Sequence, residues 1–465
     1  MSRPSPQRTR VAIVGAGIVG LILAVALNQF DEDQKIEIDL YEAAPELSEI
    51  GAGINIWPRT WQIFQELGLG EVLIPHFDHV PDLEPRPIYE VRKADQKDGF
   101  KVMDLVTKGG ALRIHRADFQ RCLIQHLPLH NSKIIPINSR CTLHLSHRLI
   151  DYNDPPPSPS NSFSSPVILY FENRCSTTCD ILIGADGIKS TIRRLFLQRM
   201  DDPRKYERFI DPTWSGAVAY RGLIAREELG KVFPGHRAFD HPGIMYMGKN
   251  RHCVVYSVSG GKFINVVAAV HDLSKEGALW EGPWNVEITQ QELREVFNGW
   301  EDEFQALVEC IKRPTRWAIQ NMHHLDTFAR GRVFLIGDAA HAMVPYLGAG
   351  AGVGIDDAYI LASLLTSTSM HRSPTPELMN NLVETYNTVC VPHANGMSKA
   401  SFDQGHLYTL QTPQFHAYKE GDNVPMKMLL DVFQTAEKGW WWAVTDPREE
   451  RRRAVGSLQN LKVRL

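Results

Sequence analysis

The ordered pattern begins with a short, continuous apolar run at residues 11–14, followed by Gly15-Ala16-Gly17-Ile18-Val19-Gly20 and an apolar helical stretch to about residue 29. Brief apolar runs bounded by turn signals read as strands buried on both faces, and longer ones as helices. A second run, 36–41, ends at Glu42, and a third leads through Gly184-Ala185-Asp186-Gly187. A fourth, 332–336, stops at Gly337-Asp338, ahead of a helix over 353–365 entered through alternate glycines. Further helices are expected at 60–67, ended by Gly68, and at 119–127. Strands alternating with helices predict an α/β fold with a parallel, nucleotide-binding sheet.

From residue 214 to about 318 the pattern becomes strand after strand: 217–223, 244–247, 253–258 and 263–270, with Gly-Lys-Asn and Ser-Gly-Gly-Lys turns between them. These are hairpin signals, so an inserted antiparallel sheet is expected, followed by one helix over 290–308 and a return strand at 317–320. The division this predicts is a discontinuous nucleotide domain (10–80, 111–212 and 319–377), a sheet domain forming one wall of a pocket (81–110 and 213–318), and a helical C-terminal region (378–465). Residues 1–9 read as a disordered tail, and the Pro- and Ser-rich stretch 151–166 as a flexible loop joining two strands of a hairpin. The run Trp440-Trp441-Trp442 reads as packing against the body.

Composition narrows the function. The chain is too long, at 465 residues, for one core, and 43% hydrophobic with 22% charged residues is ordinary for a soluble globular protein. A net charge of −4 offers no basic excess for nucleic acid, and the mixed-sign run 448–453 reads as a solvated helix face. Seven scattered cysteines form no disulfide framework. Cys175 and Cys179 have half a metal site's spacing without a second half, so no metal is expected. Arg8-Thr9-Arg10 before the apolar run 11–27 imitates a signal peptide and nearly a membrane span, but dinucleotide spacing of the glycines explains it better. A cytoplasmic protein without membrane insertion is therefore expected, as monomer or homodimer.

The candidate chemistry follows from the motifs. Gly15, Gly17 and Gly20 permit a tight turn, close approach of a pyrophosphate and helix–strand packing, and Glu42 stands where ribose hydroxyls would be bound. Gly53 lies in a glycine turn, Ile50-Gly51-Ala52-Gly53-Ile54, and is counted with the cofactor residues. Arg116, at a helix entrance, reads either as a phosphate or ribityl contact or as a surface salt bridge. Asp186 and Asp338 end parallel-type strands, at the ligand-binding edge of such a sheet. Asp338 can accept hydrogen bonds from sugar-alcohol hydroxyls, while glycines near Gly350 admit a flat ring to an open helix start. This is a place to hold a flavin.

The three motifs in this order resemble the single-component flavoprotein monooxygenases that hydroxylate aromatic rings, with a para-hydroxybenzoate-hydroxylase-like fold. Residues 219–222 (Ala-Tyr-Arg-Gly), 245–252 and 254–256 are most similar to salicylate-hydroxylase-like enzymes, particularly fungal ones acting on phenolic polyketides, some of which dearomatise the ring. The resemblance implies FAD bound by Gly15, Gly17, Gly20 and Glu42 at its adenosine diphosphate end. Arg116 would lie along the cofactor, Asp338 at the ribityl chain and diphosphate, and Gly350 and Ala351 at the pyrimidine edge. Asp186 would serve both FAD and a transient NADPH or NADH. The implied chemistry is hydride transfer to FAD, reaction with dioxygen to a C4a-hydroperoxide, and delivery of oxygen to a small phenolic substrate. Dearomatisation and decarboxylation stay open as variants.

A phenolate is far more nucleophilic than a phenol, so the pocket needs a group favouring the ionised oxygen. Arg221 can supply permanent charge, with Tyr256 as hydrogen-bond partner or tyrosinate base. Arg221 can equally pair with a surface carboxylate and Tyr256 be a core tyrosine, with Tyr246 its rival. His341 and Pro345 fall beside the flavin by motif position. An epoxidase or oxidase acting on an alkene or amine, and a non-catalytic binding protein on the same fold, are the competing readings.

Overall fold

The computed structural model describes residues 8–47, 53–77, 79–128, 140–157, 163, 165–258, 260–367 and 374–463. The nucleotide-type sheet has six strands in the order Ala329–Arg330, Val333–Leu335, Ile181–Gly184, Thr9–Val14, Ile36–Tyr41 and Cys141–His144. All neighbours run parallel except the first pair. Thr9, expected in the tail, is buried and begins the first strand, its N–H donating to the Lys35 carbonyl at 2.8 Å. The helix Ile18–Phe30 follows, so the apolar run that imitates a signal peptide is strand and helix of the core. Among the described residues no helix is long and apolar enough to cross a membrane.

Strand order brings the three motifs together. Thr9–Val14, Ile181–Gly184 and Val333–Leu335 are adjacent and parallel, so Gly15, Ala185 and Gly337 all leave the carboxyl edge side by side, where open α/β sheets bind ligands. Two helices then cross closely. A Cβ on Gly354, in the helix Gly350–Ser367, would lie 2.6 Å from Val19 Cγ2 and 3.1 Å from Gly337 Cα.

The second sheet has eight strands in the order Asn285–Glu287, Thr315–Asn321, Thr213–Ala225, Phe263–His271, Arg251–Val258, Ile244–Gly248, Pro85–Lys93 and Phe100–Lys108. Its neighbours are antiparallel, as the hairpin signals indicate, except that Ile244–Gly248 runs parallel to Pro85–Lys93. Those two strands are distant in sequence, and no hairpin dictates their relative direction. The domain boundary expected between residues 318 and 319 falls inside Thr315–Asn321, which pairs with Thr213–Ala225 on both sides of a register shift between Trp214 and Val218. The expected helix 290–308 is two, Gln290–Val296 and Asp302–Cys310, interrupted where Gly299 takes φ +82°. The strands Leu149–Asn153 and Val167–Phe171 form the expected hairpin, while residues 158–162 and 164 of its loop, like 1–7 of the tail, lie outside the described residues.

The C-terminal region is helical, with a long helix Pro376–Tyr408 followed by Met426–Lys438 and Pro447–Val463. Trp440 and Trp442 are buried, but Trp441 is 65% exposed, because three consecutive residues cannot share one face of a short helical turn. A buried ion network ties this region down. Arg59 Nε donates to both Asp356 oxygens at 3.0 Å, Nη2 to Glu450 Oε2 at 2.5 Å and Nη1 to Thr445 Oγ1 at 2.8 Å.

The helix crossing makes a prediction. Gly354→Ala should destabilise the protein by about 1–3 kcal/mol through overpacking. Gly396→Ala, where a Cβ meets nothing within 4 Å, should be neutral or stabilise by about 0.5–1 kcal/mol. Urea unfolding midpoints check both signs.

Candidate functional site

The glycines of the first turn divide the work unequally. A Cβ on Gly15, whose φ is +109°, would lie 2.3 Å from the Ala185 carbonyl oxygen, and one on Gly20 would lie 2.0 Å from that of Gly15. Both are required by backbone packing. Gly17, the N-cap of Ile18–Phe30, meets nothing within 4 Å, so this helix start, with its free N–H groups, is open to an anion. Glu42 is fixed beside it, accepting from Ala16 N–H at 3.0 Å and Ala44 N–H at 2.9 Å.

Asp338 is exposed although Gly337 and Ala339 on either side are buried. Along the same segment Pro345 is exposed and Met343, Gly348, Gly350 and Ala351 are half-buried, so a strip of accessible positions, interspersed with buried ones, reaches the helix start at Gly350. Trp57 Nε1 donates to the Gly348 carbonyl at 3.2 Å and holds this strip from behind. Asp357 supports it from below, accepting from Gly337 N–H at 2.9 Å and His341 Nε2 at 2.6 Å. His341 is therefore a buried support. Burial disfavours its charge, yet the bonded Asp357 carboxylate, helped by Asp338, raises its pKa above the ordinary value.

The carboxylate of Asp186 is turned to its own helix. It accepts from Ser190 Oγ and from the N–H groups of Thr191 at 2.8 Å and Ile192 at 3.1 Å. Burial raises its pKa against those hydrogen bonds. Arg193, whose significance sequence reasoning missed, joins the two Asp-bearing turns. Its Nη1 donates to the carbonyls of Ala339 at 3.1 Å and Asp338 at 3.4 Å, and its Nε to that of Ile210 at 3.2 Å. Burial pushes its pKa down to about 10.

The other wall belongs to the eight-stranded sheet. Gly53 lies opposite His115 in a two-stranded ladder, and a Cβ there would be 3.7 Å from Tyr256 Cε2. Gly53 thus abuts the sheet's tyrosine. Arg116 opens the next helix, near enough to Arg221 for its charge to oppose ionisation there. Arg221 stands opposite Val267 and Tyr256 opposite Asn265, so both flank the strand Phe263–His271 on the same face. The Arg221 guanidinium lies over Trp317 at 4.9 Å, and its buried Nε has no acceptor among the described residues. Burial, then Arg116, lowers its pKa, with Tyr256 opposing. Arg113, also missed, sits over the Tyr256 ring at 5.0 Å. Burial pushes Tyr256 up to about 12, which leaves it neutral at physiological pH. Tyr246 faces away, against Phe304 at 5.2 Å in the core beneath the sheet.

A profile of the FAD binding domain matches residues 170–401. Salicylate hydroxylase of Pseudomonas putida is 34% identical over 89% of this chain and 90% of its own. The chain belongs to the salicylate-hydroxylase-like FAD-dependent monooxygenases. A 6-methylsalicylate 1-monooxygenase of Aspergillus terreus is 28% identical over 98% of this monooxygenase and 93% of its own length. The solved structure of a salicylate hydroxylase substrate complex superposes with a TM-score of 0.76, at 30% identity, over 96% of this chain and 98% of its own. FAD is the cofactor, and the accessible strip from Asp338 to Ala351, at the same sheet edge as the open helix start at Gly17, fits a long dinucleotide carrying a flat ring. Among the described residues no cluster of His, Cys, Asp or Glu could hold a metal.

The raised pKa of His341 fixes the sign of a pH effect. The stabilisation it contributes is fully present below its unfolded pKa of about 6.5 and is lost as pH rises through the higher folded value. The stability difference between wild type and His341→Gln, measured by urea unfolding from pH 6 to 9, should therefore shrink with rising pH.

Proposed function

We propose that this monooxygenase hydroxylates a small phenol carrying an acidic group, of the salicylate type, and that Arg221 and Tyr256 hold it. The observation that carries this reading is the buried Arg221 Nε with no acceptor among the described residues, on the sheet face that also bears Tyr256. A buried donor left unsatisfied costs about 1–3 kcal/mol, so a guanidinium kept in that state is poised for an anion from outside the fold. The relatives' substrates, salicylate and 6-methylsalicylate, supply an ionisable phenol and a carboxylate on one ring.

Bound FAD would supply the redox chemistry: hydride acceptance from reduced nicotinamide and, with dioxygen, delivery of one oxygen atom to the ring. The chain's own residues do the rest. The free N–H groups of the helix start at Gly17 would take the diphosphate, Glu42 the adenosine ribose, and Asp338 the ribityl hydroxyls. The N-terminus of Gly350–Ser367, with Gly350 and Ala351, stabilises negative charge on the ring's pyrimidine edge. Arg116, whose charge reaches Arg221, would lie along the cofactor. Arg221 favours the ionised oxygen of the substrate, which makes the ring electron-rich where oxygen is delivered. Tyr256, kept neutral by burial, hydrogen-bonds the substrate and does not act as a tyrosinate base.

Arg221→Ala should keep FAD bound and lower kcat/KM for salicylate by about 100-fold or more. Asp338→Ala should weaken FAD itself by about 10–100-fold, the worth of charge-assisted hydrogen bonds. Flavin fluorescence titration and product mass spectrometry read the two effects separately, and the product mass tells retention from loss of the carboxyl group. A fully active Arg221→Ala enzyme would remove the assignment.

A further inference from the structure

Between the flavin strip and the sheet runs one side-chain bridge that the roles above do not use. Tyr346 follows the exposed Pro345 and turns inward. Its ring lies over Gly405 of the long helix Pro376–Tyr408, where a Cβ would come within 2.5 Å of Tyr346 Cδ2. Its hydroxyl meets His271 Nε2 at 2.6 Å, both groups buried. Ser401 of the same long helix holds the main chain on either side, donating to the Val344 carbonyl at 2.6 Å and accepting from Leu347 N–H at 3.2 Å.

The proton is placed by the surroundings. Burial, with His252 and His406 nearby, keeps the His271 pKa well below its ordinary value, and burial with the charge of Glu276 keeps that of Tyr346 well above. His252 is itself held neutral by burial, and Glu276 is engaged by His406 at 2.8 Å. Tyr346 therefore donates to a neutral His271, and the bond stays intact around neutral pH. His271 ends the strand Phe263–His271, the same strand that places Val267 opposite Arg221 and Asn265 opposite Tyr256. One rigid strand thus runs from beneath the proposed substrate residues to the turn that carries Pro345 and Gly348.

We infer that Tyr346 is a positioning residue: its hydroxyl, bonded to His271, fixes the flavin-side turn against the substrate wall and so couples flavin reduction to oxygen transfer. The inference rests on the substrate reading above. In the coupled reaction NAD(P)H, O2, a proton and the phenol give NAD(P)+, water and the hydroxylated ring. In the uncoupled one the same NAD(P)H, O2 and proton give NAD(P)+ and hydrogen peroxide. A turn displaced from the substrate wall shifts flux from the first to the second.

The test compares FAD-loaded wild type, Tyr346→Phe, His271→Leu and His271→Gln, with salicylate and 6-methylsalicylate as probes. Tyr346→Phe keeps the ring in the Gly405 notch and removes only the donor, and His271→Gln keeps an acceptor. Expected are FAD affinity within about twofold of wild type and a reduced flavin absorbance change on salicylate addition in Tyr346→Phe and His271→Leu. Product per NAD(P)H should fall about threefold or more in both, the balance appearing as peroxide, and His271→Gln should retain most of both signals. A wild-type response preserved in Tyr346→Phe overturns the inference. A wild-type flavin that responds to neither acid overturns the substrate reading, and the inference with it.

Discussion

The structure depends on how closely backbone can approach backbone at the carboxyl edge of the six-stranded sheet. Gly15 is packed against Ala185, Gly20 against Gly15, and Gly354 against Val19 and Gly337, all at distances that admit no Cβ. These contacts bring the ends of three adjacent strands and the starts of two helices into one small region. The two open helix N-termini, at Gly17 and Gly350, follow from it, and so does the exposed carboxylate of Asp338. A methyl group at any of these crossings would move a helix start relative to the strand ends, and a dinucleotide needs both at once.

Much of this architecture was legible in sequence because the glycines, strand lengths and terminal acids are local signals. The parallel sheet, the inserted sheet and the helical C-terminus follow from period and order alone. What sequence could not give is which atom a motif residue faces. Asp186 ends a strand like Asp338, yet its oxygens are taken by Ser190, Thr191 and Ile192, because a helix begins five residues later and its N–H groups point back. His341 falls within the flavin motif, yet Asp357, one helix away, draws it under the turn. An acidic pair, Asp356-Asp357, inside an otherwise apolar helix was the available signal for such support. Arg113 and His271 were invisible because their roles arise from sheet register and from contact between distant segments. The broken helix 290–308 shows the opposite failure, a local glycine at 299 overruling a continuous apolar period.

Charge is treated differently at the back of the molecule and in the pocket. Behind the flavin strip, Arg59 is fully engaged by Asp356, Glu450 and Thr445, and His393 adds a bond to Asp356 at 3.1 Å. This network joins the helices Pro58–Glu66, Gly350–Ser367, Pro376–Tyr408 and Pro447–Val463. Removing one partner from such a buried set costs about 3–5 kcal/mol, so the C-terminal helices are bound to the cofactor helix by more than apolar contact.

Arg193 and Arg221 make the same point by contrast. Arg193 is buried and Arg221 half-buried with its Nε covered, and both have lowered pKa values, for burial opposes the guanidinium charge in each. Arg193 is repaid by carbonyls of Ile188, Ile210, Asp338 and Ala339 and serves as a fastener. Arg221 has Trp317 beneath it, Tyr256 and Arg116 within electrostatic reach, and a buried Nε with no acceptor among the described residues. A fold selected for stability alone would fill that position with a carboxylate or replace the arginine by an apolar side chain. In the proposed function the compensating interaction is deferred to a ligand. On the function proposed above, the anion that supplies it is the phenolic acid held between the sheet and the flavin strip.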